Sequence, residues 1–132
     1  MIEFHLDQHS GVAPYLQLVQ QVKQALRLGV LAVGDQLPTV REVVAQIAIN
    51  PNTVLKAYRE LEREGLTESR PGQGTFVRRT LASTSLSSHA TLRRSLERWL
   101  RSASEAGLDS ESILALFMST FQATQKDNEE TA

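Results

Sequence analysis

The stretch Leu37-Pro-Thr-Val-Arg-Glu-Val-Val-Ala-Gln-Ile-Ala-Ile-Asn-Pro-Asn-Thr-Val-Leu-Lys-Ala-Tyr-Arg-Glu-Leu-Glu-Arg-Glu-Gly65 reads as two short helices joined by a tight turn. Thr39 and Glu42 have the Thr-x-x-Glu spacing of a capping box, in which the hydroxyl serves an orphan amide and the carboxylate reaches back. Val40, Val43, Val44 and Ile47 then supply an apolar stripe. The second helix opens on Asn50-Pro51, an amide suited to the N-cap and a proline where no amide hydrogen is missed. Gly65 closes it as the residue after the C-cap. At roughly 100° per residue, Val54, Ala57, Tyr58 and Leu61 gather on one side while Asn52, Lys56, Arg59 and Arg63 gather opposite them. One face is core and the other is free to bind, the layout of a helix-turn-helix.

Ahead of this stretch, Ile2-Glu-Phe-His-Leu6 alternates with the period of a half-buried strand. After the breaker Ser10-Gly11, Pro14 suits a first helical turn, and Tyr15, Leu18, Val22, Ala25 and Leu26 recur at helical spacing up to Gly29. Leu31 to Pro38 is a loop whose leucines and valine predict that it packs down on the helices. Behind the stretch, Leu66–Ser69 and Thr75–Arg78 are short strands parted by Arg70-Pro-Gly-Gln-Gly74, a turn sequence that makes the pair a wing.

Thr80 to His89, rich in serine and threonine, reads as a linker. Beyond it Leu92, Leu96, Trp99, Ala103 and Ala106 form the seam of a helix ending near Gly107. Asp109 or Ser110 caps a last helix, where Ile113, Leu114, Leu116, Phe117, Met118 and Phe121 leave little polar face. Two helices cannot enclose so much apolar surface, so a second copy of the chain is expected to cover it. Leu92, Leu96, Trp99, Ile113, Leu114, Phe117, Met118 and Phe121 are the candidate dimerisation residues. The predicted fold is mainly α with a small β wing: a winged helix-turn-helix over residues 1–79, a linker over 80–89, a two-helix dimerisation segment over 90–124 and a disordered tail over 125–132.

With 132 residues, 41% of them hydrophobic and 5% aromatic, the chain has the composition of a soluble globular protein. No run is long and apolar enough to span a bilayer, and Met-Ile-Glu-Phe-His lacks the regions of a signal peptide, so a cytoplasmic location is expected. The lack of cysteine removes disulfides, thiolate metal sites and a cysteine nucleophile. His5, His9 and His89 have no metal-ligand spacing, there is no Gly-x-Ser-x-Gly elbow, and the glycines form no phosphate cradle. Neither an enzyme nor a bound cofactor or metal is indicated. The net charge of −1 hides a basic middle of Lys56, Arg59, Arg63, Arg70, Arg78 and Arg79 behind an acidic end.

Charged stripes are usually solvated faces, but this one begins at the N-terminus of the second helix of a helix-turn-helix, where major-groove contacts are made. Asn52 can bridge adenine edges, Thr53 can meet a base or a phosphate, and Lys56 can reach guanine or phosphate. Arg59 and Arg63 suit phosphates, which position without specifying. Arg41 sits in a first helical turn, where a cation is mildly disfavoured by the dipole, so DNA is its better explanation. Arg70, Gln73 and Gly74 at the wing tip can ride the minor groove, while Asn50 is a cap. Arg93, Arg94, Arg98 and Arg101 read as a solvated face.

Together Gly34-Asp-Gln-Leu-Pro-Thr-Val-Arg41, Asn50-Pro-Asn-Thr-Val54 with Ala57-Tyr-Arg-Glu-Leu61, and Arg70-Pro-Gly-Gln-Gly-Thr-Phe76 resemble the GntR family of bacterial transcription regulators over roughly Val12 to Val77. The short two-helix tail is similar to the YtrA subfamily, which lacks the large effector domain of other groups. The resemblance implies a winged-helix homodimer that binds double-stranded DNA at an operator palindrome, with repression of ABC-transporter operons common in the subfamily. Its functional positions map onto Arg41, Asn52, Thr53 and Gly74. Pro51 stands where some groups carry an arginine, so that arginine's base contacts do not transfer. The rival expectation is a winged helix serving as a protein-protein interaction module without specific DNA binding. A small-molecule effector would bind between subunits or between the DNA-binding unit and the first tail helix.

Overall fold

A computed structural model describes residues 2–82 and 86–131, which divide into one unit over residues 1–89 and another over 90–132. The first unit begins with an extended segment rather than the predicted strand: Ile2–Leu6 pairs with no other strand among the described residues. Its backbone is satisfied by two glutamines of α1 (Pro14–Arg27). Gln21 accepts from the His5 amide at 3.1 Å and donates to the His5 carbonyl at 2.7 Å. Gln17 does the same for Asp7, at 2.9 Å in both directions. Four residues of helix rise about 6 Å, and two residues of extended chain span about 6.6 Å. The side-chain amides therefore imitate a neighbouring strand, a pairing that alternation alone does not reveal. Phe4 anchors the segment in the core, in the same buried cluster as Leu18, Val22 and Leu26.

α2 (Val40–Ile47) carries the predicted capping box, with the Glu42 amide donating to Thr39 Oγ1 at 3.1 Å and the Thr39 amide donating to the Glu42 carboxylate at 3.3 Å. α3 (Pro51–Arg63) is capped by Asn50, whose Oδ1 accepts from the Asn52 amide at 2.8 Å. Val54, Ala57, Tyr58 and Leu61 are buried, and α3 packs against α1, α2 and the wing. Tyr58 also donates to the Pro38 carbonyl at 2.5 Å, tying the start of α2 to α3. Burial, aided by the nearby Glu42 charge, pushes the Tyr58 phenol well above its ordinary pKa.

The turn between α2 and α3 passes through Ala48 at φ 51°, the sole described non-glycine residue in the left-handed region. A side chain there costs about 1–2 kcal/mol, and Ala48 is exposed. Ala48→Gly is expected to raise the unfolding free energy by about 1 kcal/mol, read from the urea midpoint at unchanged m-value. A lower midpoint would mean that the flexibility gained by the unfolded chain outweighs the strain relieved.

β1 (Thr67–Arg70) and β2 (Gly74–Val77) form the antiparallel wing, with Thr67 opposite Val77 and Arg70 opposite Gly74. The strands sit one residue away from the predicted bounds, because Gly74 still pairs. The loop before α2 does more than pack down: Gln36 bridges to Phe76, Leu37 donates to the Thr75 carbonyl at 2.9 Å, and Val77 donates to the Asp35 carbonyl at 2.8 Å. It thus lines the outer edge of β2. Leu31 and Leu37 are buried as expected, but Val33 is 60% exposed.

α4 (Leu86–Glu105), most of which belongs to the second unit, begins inside the stretch read as a linker, whose residues 83–85 lie outside the described residues. Gly107 turns the chain at φ 94°, and Asp109 caps α5 (Ser110–Thr131) by accepting from the Ser112 amide at 2.8 Å. That bond holds the Asp109 carboxyl below its usual pKa. α5 continues where a disordered tail is predicted from residue 125; Ala132 is outside the described residues. Among the described residues of this unit Ala103 is the buried hydrophobic, whereas Leu92 and Leu114 are 68% and 64% exposed. No described helix is long and apolar enough to cross a membrane.

Candidate nucleic-acid interface

The capping box fixes where α2 starts, and so places Arg41 in its first turn, exposed and in no ion pair among the described residues. The amphipathic period of α3 turns Asn52, Lys56, Arg59 and Arg63 outward while Thr53 is half-buried. A groove lined by Thr39, Val40, Arg59, Glu62, Gly74 and Thr75 joins the start of α2, the open side of α3 and the wing. Of the predicted residues this groove brings together Arg59 of α3 and Gly74 of the wing, while Arg41, Asn52, Thr53, Lys56, Arg63, Arg70 and Gln73 do not line it.

Their charges are not equally available. Arg63 donates twice to the Glu60 carboxylate, at 2.9 and 2.5 Å, and its guanidinium holds that carboxyl below its ordinary value. Lys56 lies 4.1 Å from the ring centre of Tyr15 on α1, a cation-π contact that leads the ammonium toward α1. Arg70 is bound to Glu68 at 2.7 Å and stacks 4.3 Å from the centre of Phe76. Arg59 and Arg41 carry no such partner among the described residues.

Residues outside the predicted set shape the same surface. Glu62 accepts from the Ser69 amide at 3.1 Å and so ties α3 to β1. The amide of Gln36 donates to the Gln73 carbonyl at the wing tip at 3.1 Å. Tyr15 positions Lys56. The Glu60–Arg63 pair was open to discovery by the three-residue spacing rule for helices, but the other contacts join residues far apart in sequence and carry no local signal. Among the described residues no cluster of His, Asp or Glu could hold a metal ion.

A helix-turn-helix with an antiparallel wing and a polar third helix defines a winged-helix DNA-binding protein. Residues 14–77 match the model of the bacterial regulatory proteins of the gntR family. The chain is 38% identical to the HTH-type transcriptional repressor YtrA of Bacillus subtilis (strain 168), over 82% of this chain and 84% of that protein. Among solved structures it is similar to a transcriptional antiterminator of Listeria monocytogenes EGD-e (32% identity, TM-score 0.58, 92% of each chain). It is also similar to YtrA of Sulfolobus acidocaldarius, a GntR-family transcription factor (28% identity, TM-score 0.53, 74% of this chain and 97% of that one). The chain belongs to the GntR family and is a transcriptional regulator with a winged-helix DNA-binding domain, not an enzyme.

Proposed function

We propose that the chain is a cytoplasmic repressor that binds a palindromic operator as a homodimer and controls a transporter operon. The observation that carries the DNA reading is the groove uniting α3 with the wing at Gly74 and lined by Arg59, a cation in no ion pair among the described residues. Asn52 and Thr53 are the base readers, Arg41 and Arg59 neutralise phosphates, and Arg70, Gln73 and Gly74 follow the minor groove. Lys56 and Arg63 contribute less than their charge suggests, because each is already engaged. Repression, and a transporter operon as its object, rest on the likeness to the YtrA repressor and its subfamily.

The homodimer is supported by α4 and α5, whose Leu92, Leu96, Trp99, Leu114, Phe117, Met118 and Phe121 are all at least one-third exposed in the single chain, with Ile113 half-buried. Such a patch in a helical hairpin calls for a partner. A second copy satisfies it while placing two recognition helices about a two-fold axis. A small-molecule effector between subunits would act by changing the distance between those helices.

Selection of bound fragments from the source genome followed by footprinting tests this reading. Two symmetric protected half-sites about 10 bp or a multiple apart are expected. Binding without sequence preference would instead favour a protein-protein interaction module.

A further inference from the structure

The wing tip of this chain is held from outside the hairpin. Gln36 pairs with Phe76 in an antiparallel bridge, so its side chain stands over the outer edge of β2, and its amide donates to the Gln73 carbonyl at 3.1 Å. A Cβ at position 74 would lie 2.5 Å from Gln36 Nε2. Gly74, at φ 128°, has a backbone shape that other residues rarely adopt, and a Cβ there would push aside the end of the Gln36 side chain and so break its bond to the Gln73 carbonyl. From within the hairpin, Arg70 lies over Phe76, the residue that Gln36 bridges.

Gln36 is also only five positions before Arg41, in the segment that Leu37 pins to Thr75 and that Tyr58 pins at Pro38. A single short stretch thus fixes the wing tip at one end and the first turn of α2 at the other. We propose that Gln36 is a positioning residue for DNA recognition. Acting through the Gln73 carbonyl, it sets the depth at which the wing tip meets the minor groove, and so how strongly the protein tells A·T from G·C pairs there. This rests on the reading that the wing tip follows the minor groove.

The test uses the full chain and a duplex recovered by selection from a random-sequence pool. Three versions of that duplex carry A·T, inosine·cytosine or G·C pairs at the outer edge of each half-site. Inosine·cytosine keeps the minor-groove pattern of A·T, whereas G·C adds an amino group there. The wild type should bind the first two alike and the third about fivefold more weakly, the ratio that one net hydrogen bond sets. In Gln36→Ala, whose side chain is exposed and whose thermal midpoint should not move, that ratio should fall below about twofold. Gly74→Ala should weaken binding to the A·T duplex, and adding Gln36→Ala should restore part of the loss because the blocking amide is gone.

A wild type that does not distinguish the versions would remove the minor-groove reading and the inference together. A wild type that does, with Gln36→Ala keeping its full ratio, would overturn the role of Gln36 alone. Equal weakening of Gln36→Ala on all three duplexes would also overturn it, since that is the mark of a direct backbone contact.

Discussion

Phe117→Asp is expected to leave the chain monomeric and to lower its affinity for a two-half-site operator by roughly a hundredfold or more. Phe117 and Phe121 stack along α5 with ring centres 5.9 Å apart and planes 15° from parallel, and both rings remain nearly half exposed in the single chain. Covering them with a second copy removes apolar area from water, and a carboxylate placed among them would have to be desolvated without a partner. Affinity falls because a dimer binds its second half-site as an intramolecular event, and a monomer has no such second event. Sedimentation equilibrium should give the single-chain mass, and titration should show wild-type affinity for an isolated half-site. A variant that remains dimeric would place the subunit contact elsewhere. A monomeric variant with full operator affinity would remove the dimer from the mechanism.

Much of the DNA-binding unit was legible because its signals are local. Thr39 with Glu42, Asn50 with Pro51, and the period of Val54, Ala57, Tyr58 and Leu61 each specify a helix end or a face within a few residues, and the structure places them as read. What was not legible depends on partners distant in sequence. The alternation of Ile2–Leu6 is the same whether the neighbour is a strand or, as here, the side-chain amides of Gln17 and Gln21. The loop before α2 became a sheet edge because Asp35 and Leu37 found β2 some forty residues on.

The candidate site followed the same division. The outward direction of Asn52, Lys56, Arg59 and Arg63 came from periodicity. The Glu60–Arg63 pair is implicit in its three-residue spacing, whereas the engagement of Lys56 by the distant Tyr15 ring carries no local signal. The reach of α5 to Thr131 was missed because Lys126-Asp-Asn-Glu-Glu130 has no apolar periodicity, and its charges fit a helical end as well as a tail.

Asn52→Ala and Arg63→Ala should differ in kind, and the ion pairs of α3 sharpen the contrast. Asn52 is exposed in the first turn of α3, and among the described residues its side-chain amide enters no hydrogen bond, which leaves it able to bridge a base edge. Losing one bidentate base contact costs about 1–3 kcal/mol. Asn52→Ala should therefore weaken operator binding by roughly 5- to 150-fold while leaving random DNA nearly unaffected. Arg63 would lower the salt slope by about 0.9 if it neutralised a whole phosphate. Its two bonds to Glu60 make the pair nearly neutral, so Arg63→Ala should change the slope by well under that amount. Glu60→Gln, which frees the guanidinium, should steepen the slope and tighten all DNA alike. Titrations of operator and random duplex over a range of salt concentrations read all three. Equal losses on both duplexes for Asn52→Ala would end its assignment as a base reader, and a full-unit loss for Arg63→Ala would show that DNA wins Arg63 from Glu60.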